Sequence, residues 1–182
     1  MFTHLRPHLY YESVYHVDFA SLKEQGIRGV VFDLDNTLVG WNHPTPHDAL
    51  VHFLQEFHDQ GFRSCIVSNN GTERVQSFAK LLGIPAVHRA QKPRSRGLLQ
   101  ALKILGTAPQ ETAIVGDQVF TDVLGGNLLG LLTVLVVPIP SKEFITTQAV
   151  RRVEKLVLNN LHRRGLPQPS EKLYFAQDNR EH

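Results

Sequence analysis

Gly29-Val30-Val31-Phe32-Asp33-Leu34-Asp35-Asn36-Thr37-Leu38 reads as a buried strand that runs into two carboxylates and then stops at polar residues. Side chains alternate along a strand, so Asp33 and Asp35 share a face if the extended backbone reaches them. Two anions that close repel each other. They persist only where a cation, a shared proton or hydrogen bonds offset the repulsion. The pair is therefore a candidate for metal-assisted chemistry, set against the simpler reading of two aspartates that cap a turn.

Downstream of this strand the apolar pattern alternates between periods of 3.6 and 2. A helix is expected over 46–60, with Thr45 as N-cap, Pro46 as its first residue and Leu50, Phe53, Leu54 and Phe57 on one face. Strands are expected over 63–67, 86–87, 112–115 and 132–137, and helices over 72–82, 95–105 and 121–129. Such alternation predicts an α/β fold, with a mostly parallel five-stranded core sheet between two helical layers. Ligands of such sheets bind beyond the carboxyl ends of the strands. That gathers Asp33, Asp35, Ser68, Asn69, Asn70, Lys92, Asp117 and Asp122 at one rim.

The chain has 182 residues, 42% hydrophobic and 20% charged, which suits one globular domain. A formal charge of +2 gives no argument for nucleic acid. Cys65 is the sole cysteine, so no intrachain disulfide forms, and its apolar neighbours suggest a buried inert thiol. Residues 1–7 lack the apolar core of a signal peptide, and the longest apolar stretch, 128–137, is too short to span a bilayer. The expected location is cytoplasmic, or peripheral at the inner face of the membrane. A zinc site at His43-Pro44-Thr45-Pro46-His47 is disfavoured, because the prolines deny the histidines a helical spacing.

Four short motifs now stand in order: Asp33-Leu34-Asp35-Asn36-Thr37, Ser68, Lys92, and Gly116-Asp117 through Thr121-Asp122. Together they resemble motifs I to IV of the haloacid dehalogenase (HAD) superfamily of phosphatases, over about residues 10–160. The resemblance implies a three-layer Rossmann-like fold and a Mg2+-dependent phosphomonoester hydrolase. It implies Asp33 as nucleophile, carrying an aspartyl-phosphate, and Asp35 as general acid and base. Mg2+ would be held by Asp33, Asp117, the Asp35 carbonyl and, directly or in support, Asp122. Thr37, Ser68, Asn69 and Lys92 would bind the phosphate, Lys92 offsetting its charge.

The gaps between motifs hold one helix each, too little for a folded cap, so the site should be open and suited to a large substrate, unless oligomerisation supplies a lid. With Pro7-His8-Leu9-Tyr10, Trp41 and Gly116-Asp117-Gln118, the chain resembles the capless subfamily IIIA phosphatases of the YqeG type, a group similar to phosphatidylglycerophosphate phosphatases. That implies an anionic phospholipid as substrate. A soluble sugar, nucleotide or cofactor phosphate is the alternative, and a non-catalytic RNA- or protein-binding scaffold a weaker one. Leu128 stands where relatives often carry a basic residue.

Three segments follow: an arm over 1–27, the phosphatase domain over 28–165 and a polar tail over 166–182. The aromatic arm would pack on the domain, or else touch a membrane. A helix over 149–164 would turn Val150, Val153, Val157 and Leu161 inward. Its basic side, with Arg151, Arg152, Lys155, Arg163 and Arg164, would face solvent or anionic lipid. The tail from Pro167 has the composition of a disordered segment.

Overall fold

The computed structural model describes residues 3–140 and 145–172, with the side chains of 145–149 outside the description. Its centre is a parallel sheet of β1 (Leu9–Tyr11), β2 (Gly29–Phe32), β3 (Arg63–Val67), β4 (Ala86–Val87), β5 (Thr112–Gly116) and β6 (Leu132–Val136). The order is β1-β6-β5-β2-β3-β4, so among the described residues the sheet has six strands rather than the expected five. The added strand is β1, in the N-terminal arm. Leu9 to Tyr11 pair with Val134 to Val136, and a three-residue strand is too short to show a period of its own.

Helices cover both faces. Val30 and Phe32 point to one side, where α1 (Phe19–Glu24), α2 (Asp48–Asp59) and α3 (Thr72–Leu82) pack. Phe19 lies at the middle of an aromatic cluster there, with ring centroids 5.0 Å from Phe57 and 6.3 Å from Phe32. Val31 points to the other side, against α4 (Ser95–Leu105) and Leu131, and α5 (Leu124–Leu129) packs beside α4. On that same face α6 (Ile145–Arg163) brings Val157 and Leu158 against Val119, Val123 and Leu135. Cys65 is buried in the sheet, and burial pushes its thiol up to about 12, which leaves it inert.

Four expectations are corrected. First, α2 begins at Asp48, not Pro46, and its N-cap is His47, which makes no side-chain capping bond. Second, the stretch expected as one helix from Thr121 starts instead with a π-helical turn, Val119–Val123, before α5. Third, α6 turns Val157 and Leu161 inward as expected but is rotated so that the rest of the expected apolar face is not buried. Glu154 is buried, whereas Val150 and Val153 are exposed. Fourth, the first part of the tail is ordered, since Ser170 forms a bridge beside Tyr11. Residues 173–182, and Phe2 of the arm, lie outside the described residues. Val14 and Phe19 of the arm are core residues.

Between Asp35 and Ser68 the chain holds only a loop, α2 and β3; between Ser68 and Lys92, only α3, β4 and short connections. Among the described residues, no cap domain covers the carboxyl ends of the strands. Among the described residues, no helix is long and apolar enough to cross a membrane.

Candidate active site

The sheet order switches around β2. The chain goes from β2 to β3 and β4 on one side, then returns to β5 on the other. This is where open parallel sheets leave a crevice. Asp33 is the first residue beyond β2, and its N–H still donates to the Val115 carbonyl at 2.9 Å. The strand ends there. Asn36, with φ of 63°, turns the backbone through the left-handed region, which asparagine tolerates. Asp33 and Asp35 are therefore not neighbours on one strand face. The turn sends their carboxylates to different partners.

Asp33 faces inward. The Lys92 ammonium donates to Asp33 Oδ1 at 2.5 Å and to Asp122 Oδ1 at 2.7 Å, and all three side chains are nearly inaccessible to water. Asp117, the residue after β5, lies beside them. The carboxylate oxygens of Asp33, Asp117 and Asp122 fall within 4.8 Å of one another. Gly116 is required by this packing, since a Cβ on it would stand 2.2 Å from Asp122 Cγ. The π-turn folds Asp122 back so that its Oδ2 accepts from the Gln118 N–H at 3.1 Å. Asp122 thus caps its own turn and holds Lys92 with the other oxygen.

Asp35 faces the opposite wall. Its Oδ1 accepts from Arg74 Nε at 2.8 Å and its Oδ2 from Asn70 Nδ2 at 3.2 Å. Arg74 also donates to the carbonyls of His43 and Gly40, at 2.8 and 3.1 Å. Its guanidinium lies between the rings of Phe78 and Trp41, at 4.8 and 5.5 Å from their centroids. One residue of α3 so ties Asp35 to the loop that follows it.

Three further expected residues have definite places. Ser68 lines the pocket, and its Oγ accepts from the Asn70 N–H at 3.1 Å. Asn69 also lines it, while its amide clamps the Lys92 backbone from both sides, accepting at 2.6 Å and donating at 3.1 Å. Thr37, expected at the phosphate, instead donates its buried hydroxyl to Asp117 Oδ1 at 2.9 Å and is not among the lining residues. The reason is the turn at Asn36, which points Thr37 under the carboxylates. The pocket has a volume of about 260 Å³, and Trp41, Gln118 and Thr121 complete its wall.

Charge decides what this site can hold. Burial raises the Asp33 carboxyl well above the ordinary range; Lys92 opposes the rise, while Asp122 and Asp117 add to it. Burial likewise pushes Asp117 up to about 6, against the pull of Arg151. Burial alone would drive Lys92 toward neutrality, but Asp122 and Asp33 outweigh it and hold its pKa above the ordinary value. Three buried carboxylates face Lys92 and Arg151, and Arg151 is shared with Glu154 Oε2 at 3.2 Å. Such an excess of hard oxygen donors could hold a divalent metal ion, which would offset the remaining negative charge.

A family model described as Mitochondrial PGP phosphatase matches residues 3–139. The chain belongs to this family. The probable phosphatase YqeG of Bacillus subtilis (strain 168) is 37% identical to it over 159 residues, spanning 87% of this chain and 92% of that protein. Phosphatidylglycerophosphate phosphatase 1, chloroplastic, of Chlamydomonas reinhardtii is 32% identical over 180 residues, spanning 92% of this chain and 66% of that protein. Among solved structures, a HAD-superfamily hydrolase from Ehrlichia chaffeensis matches with a TM-score of 0.51 at 13% identity, covering 75% of this chain and 98% of that one. That last likeness concerns the fold alone. As a member of the PGP phosphatase family, the chain is a phosphomonoester hydrolase.

In this family member, sequence reasoning missed three residues beside the carboxylates. Arg74 sits in the first turn of α3, where a cation opposes the helix dipole; that mismatch was a legible signal. Arg151 is expected from the sequence to face solvent or anionic lipid. It donates instead to the Asp117 carbonyl at 2.8 Å and pairs with the Asp117 carboxylate. Glu154 is buried behind it, where burial raises its carboxyl, and its Oε1 accepts from the Phe120 N–H at 3.2 Å. Their charge places both on the polar side of α6 in any local reading, so only partners distant in sequence reveal them.

Proposed function

We propose that the protein hydrolyses the terminal phosphomonoester of phosphatidylglycerophosphate through Asp33. The observation that carries the reading is the buried Lys92, which bridges Asp33, in the lining of an uncapped pocket, to Asp122 beside Asp117. Family membership and the names of the relatives supply the lipid phosphate. An uncapped rim suits a phosphate carried on a surface, because no second domain has to close over the headgroup.

In the first step an Asp33 carboxylate oxygen bonds to phosphorus. The phosphorus–oxygen bond to the glycerol alcohol breaks, and Asp35 gives that oxygen its proton. Water then bonds to phosphorus and leaves its proton on Asp35, while the acyl-phosphate bond breaks. Inorganic phosphate and a free Asp33 carboxylate remain. Lys92 neutralises charge on the nucleophile and phosphate, and the Ser68 hydroxyl donates to a phosphate oxygen. Asp33 and Asp117, supported by Asp122, would hold Mg2+, and when bound it supplies Lewis-acid charge at the phosphate. Thr37, Asn69 and Arg74 act by holding Asp117, Lys92 and Asp35.

The test is phosphate release from phosphatidylglycerophosphate in detergent micelles, with and without Mg2+, beside a panel of soluble sugar, nucleotide and cofactor phosphates. Asp33→Asn is expected to lower kcat by at least about a thousandfold. Full activity in that variant would remove the nucleophile assignment. A strong preference for a soluble monoester would remove the lipid.

A further inference from the structure

The outward side of α6 joins apolar and cationic groups beside the catalytic rim. Val150, Val153 and Leu156 are 43%, 51% and 69% exposed, at three-residue spacing along one side. Val153, Leu156 and Val157 form a shallow groove with Asn160. Arg152 and Lys155 are exposed beside this stripe, and Arg163 and Arg164 at its far end. The inward side is anchored: Glu154 and Leu161 are buried, and Arg151 reaches the Asp117 carbonyl. The helix therefore cannot roll to bury the stripe without releasing Arg151 and Glu154 from the site.

A stripe of valine and leucine flanked by cations matches the boundary of an anionic bilayer. Apolar side chains enter the acyl region, and arginine and lysine meet the headgroups. Other occupants fit less well. A second copy of this chain would bring the same cations against these, juxtaposing like charges. An RNA would use the cations but leave Val153 and Leu156 without a role.

We propose that the outward face of α6 docks on an anionic phospholipid bilayer and so sets the rim of the Asp33 pocket at the headgroup layer. The proposal rests on the lipid-phosphate reading above. It extends that reading from a substrate to a surface, with Val153 and Leu156 as the inserted side chains and Arg152 and Lys155 as the headgroup contacts.

The test is flotation of the full chain with vesicles of phosphatidylcholine, with and without phosphatidylglycerol, a lipid that carries no terminal phosphomonoester. The protein should partition onto the anionic vesicles and be released by salt. The pair Val153→Ser/Leu156→Ser should lower partitioning about tenfold or more. The pair Arg152→Gln/Lys155→Gln should lower it by between about ten- and a hundredfold. Both pairs should keep full hydrolysis of a soluble aryl phosphate, which shows that they fold.

Equal partitioning onto neutral and anionic vesicles, or undiminished partitioning of both variants, would overturn the docking face. So would a wild-type dimer, seen by light scattering, that the serine pair dissolves. The two readings fail separately. Intact vesicle binding without hydrolysis of phosphatidylglycerophosphate in micelles would overturn the substrate and leave the surface. Micellar hydrolysis without vesicle binding would overturn the surface and leave the substrate.

Discussion

Arg74 is the residue whose removal should separate positioning from chemistry. Its guanidinium fork holds the Asp35 carboxylate and two loop carbonyls at once, a geometry that lysine cannot reproduce. If Asp35 protonates the leaving alcohol, its misplacement hurts most where that alcohol is strongly basic. Arg74→Lys is expected to lower kcat/KM for an alkyl phosphate by about a hundredfold, and to lower it far less for an aryl phosphate with an acidic phenol. Steady-state kinetics on both substrates check this. An equal fall on the two would assign Arg74 to phosphate or loop binding instead. Asn69 and Thr37 illustrate the same division of labour, since each polar side chain holds the group that the chemistry needs.

Close approach helps to hold the elements that carry the site. The short helix α5 lies so near the sheet that a Cβ on Gly126 would stand 2.5 Å from Ile114 Cγ2 and 2.6 Å from Thr133 Cγ2. Both obstacles are β-branched side chains of strands in the core, with little freedom to move. Gly126→Ala should therefore destabilise the fold by about 1–3 kcal/mol, measured by urea denaturation, although alanine is the better helix former. The same close packing of α5 follows from the π-turn, which lets the chain leave β5, present Asp122 to Lys92 and still enter a helix. For α6, amphipathic periodicity alone selected an inward side that is right for Val157 and Leu161 and wrong for Val150 and Val153. Those two valines do not face the core, because Glu154 and Arg151 occupy the inner face, where the Phe120 N–H and Asp117 offer them partners.

The whole fold bears the cost of gathering buried carboxylates, and pH should reveal it. Asp33 and Asp117 are both raised in the folded state, Asp117 to about 6. Between the ordinary carboxylate value and that of the folded protein, the unfolded chain binds fewer protons, so stability falls as pH rises. Chelator-treated protein should lose thermal stability as pH climbs from the ordinary value of 3.8 through about 6, and Mg2+ should restore more of it above that window than below. Calorimetric melts across this range check it. A Mg2+ effect independent of pH would exclude the buried carboxylates as the site of binding. The parallel sheet, the strand ends and the acidic motifs were legible in the chain itself, because apolar periodicity and the polar residues that stop each strand are local properties. Val30-Val31-Phe32 before Asp33, and Thr112 to Val115 before Asp117, announce themselves in this way. The edge strand β1, the partition of Asp33 and Asp35 between Lys92 and Arg74, and the rotation of α6 became definite only in three dimensions. Each depends on hydrogen bonds or ion pairs between residues far apart in the chain, whose energy no local window contains.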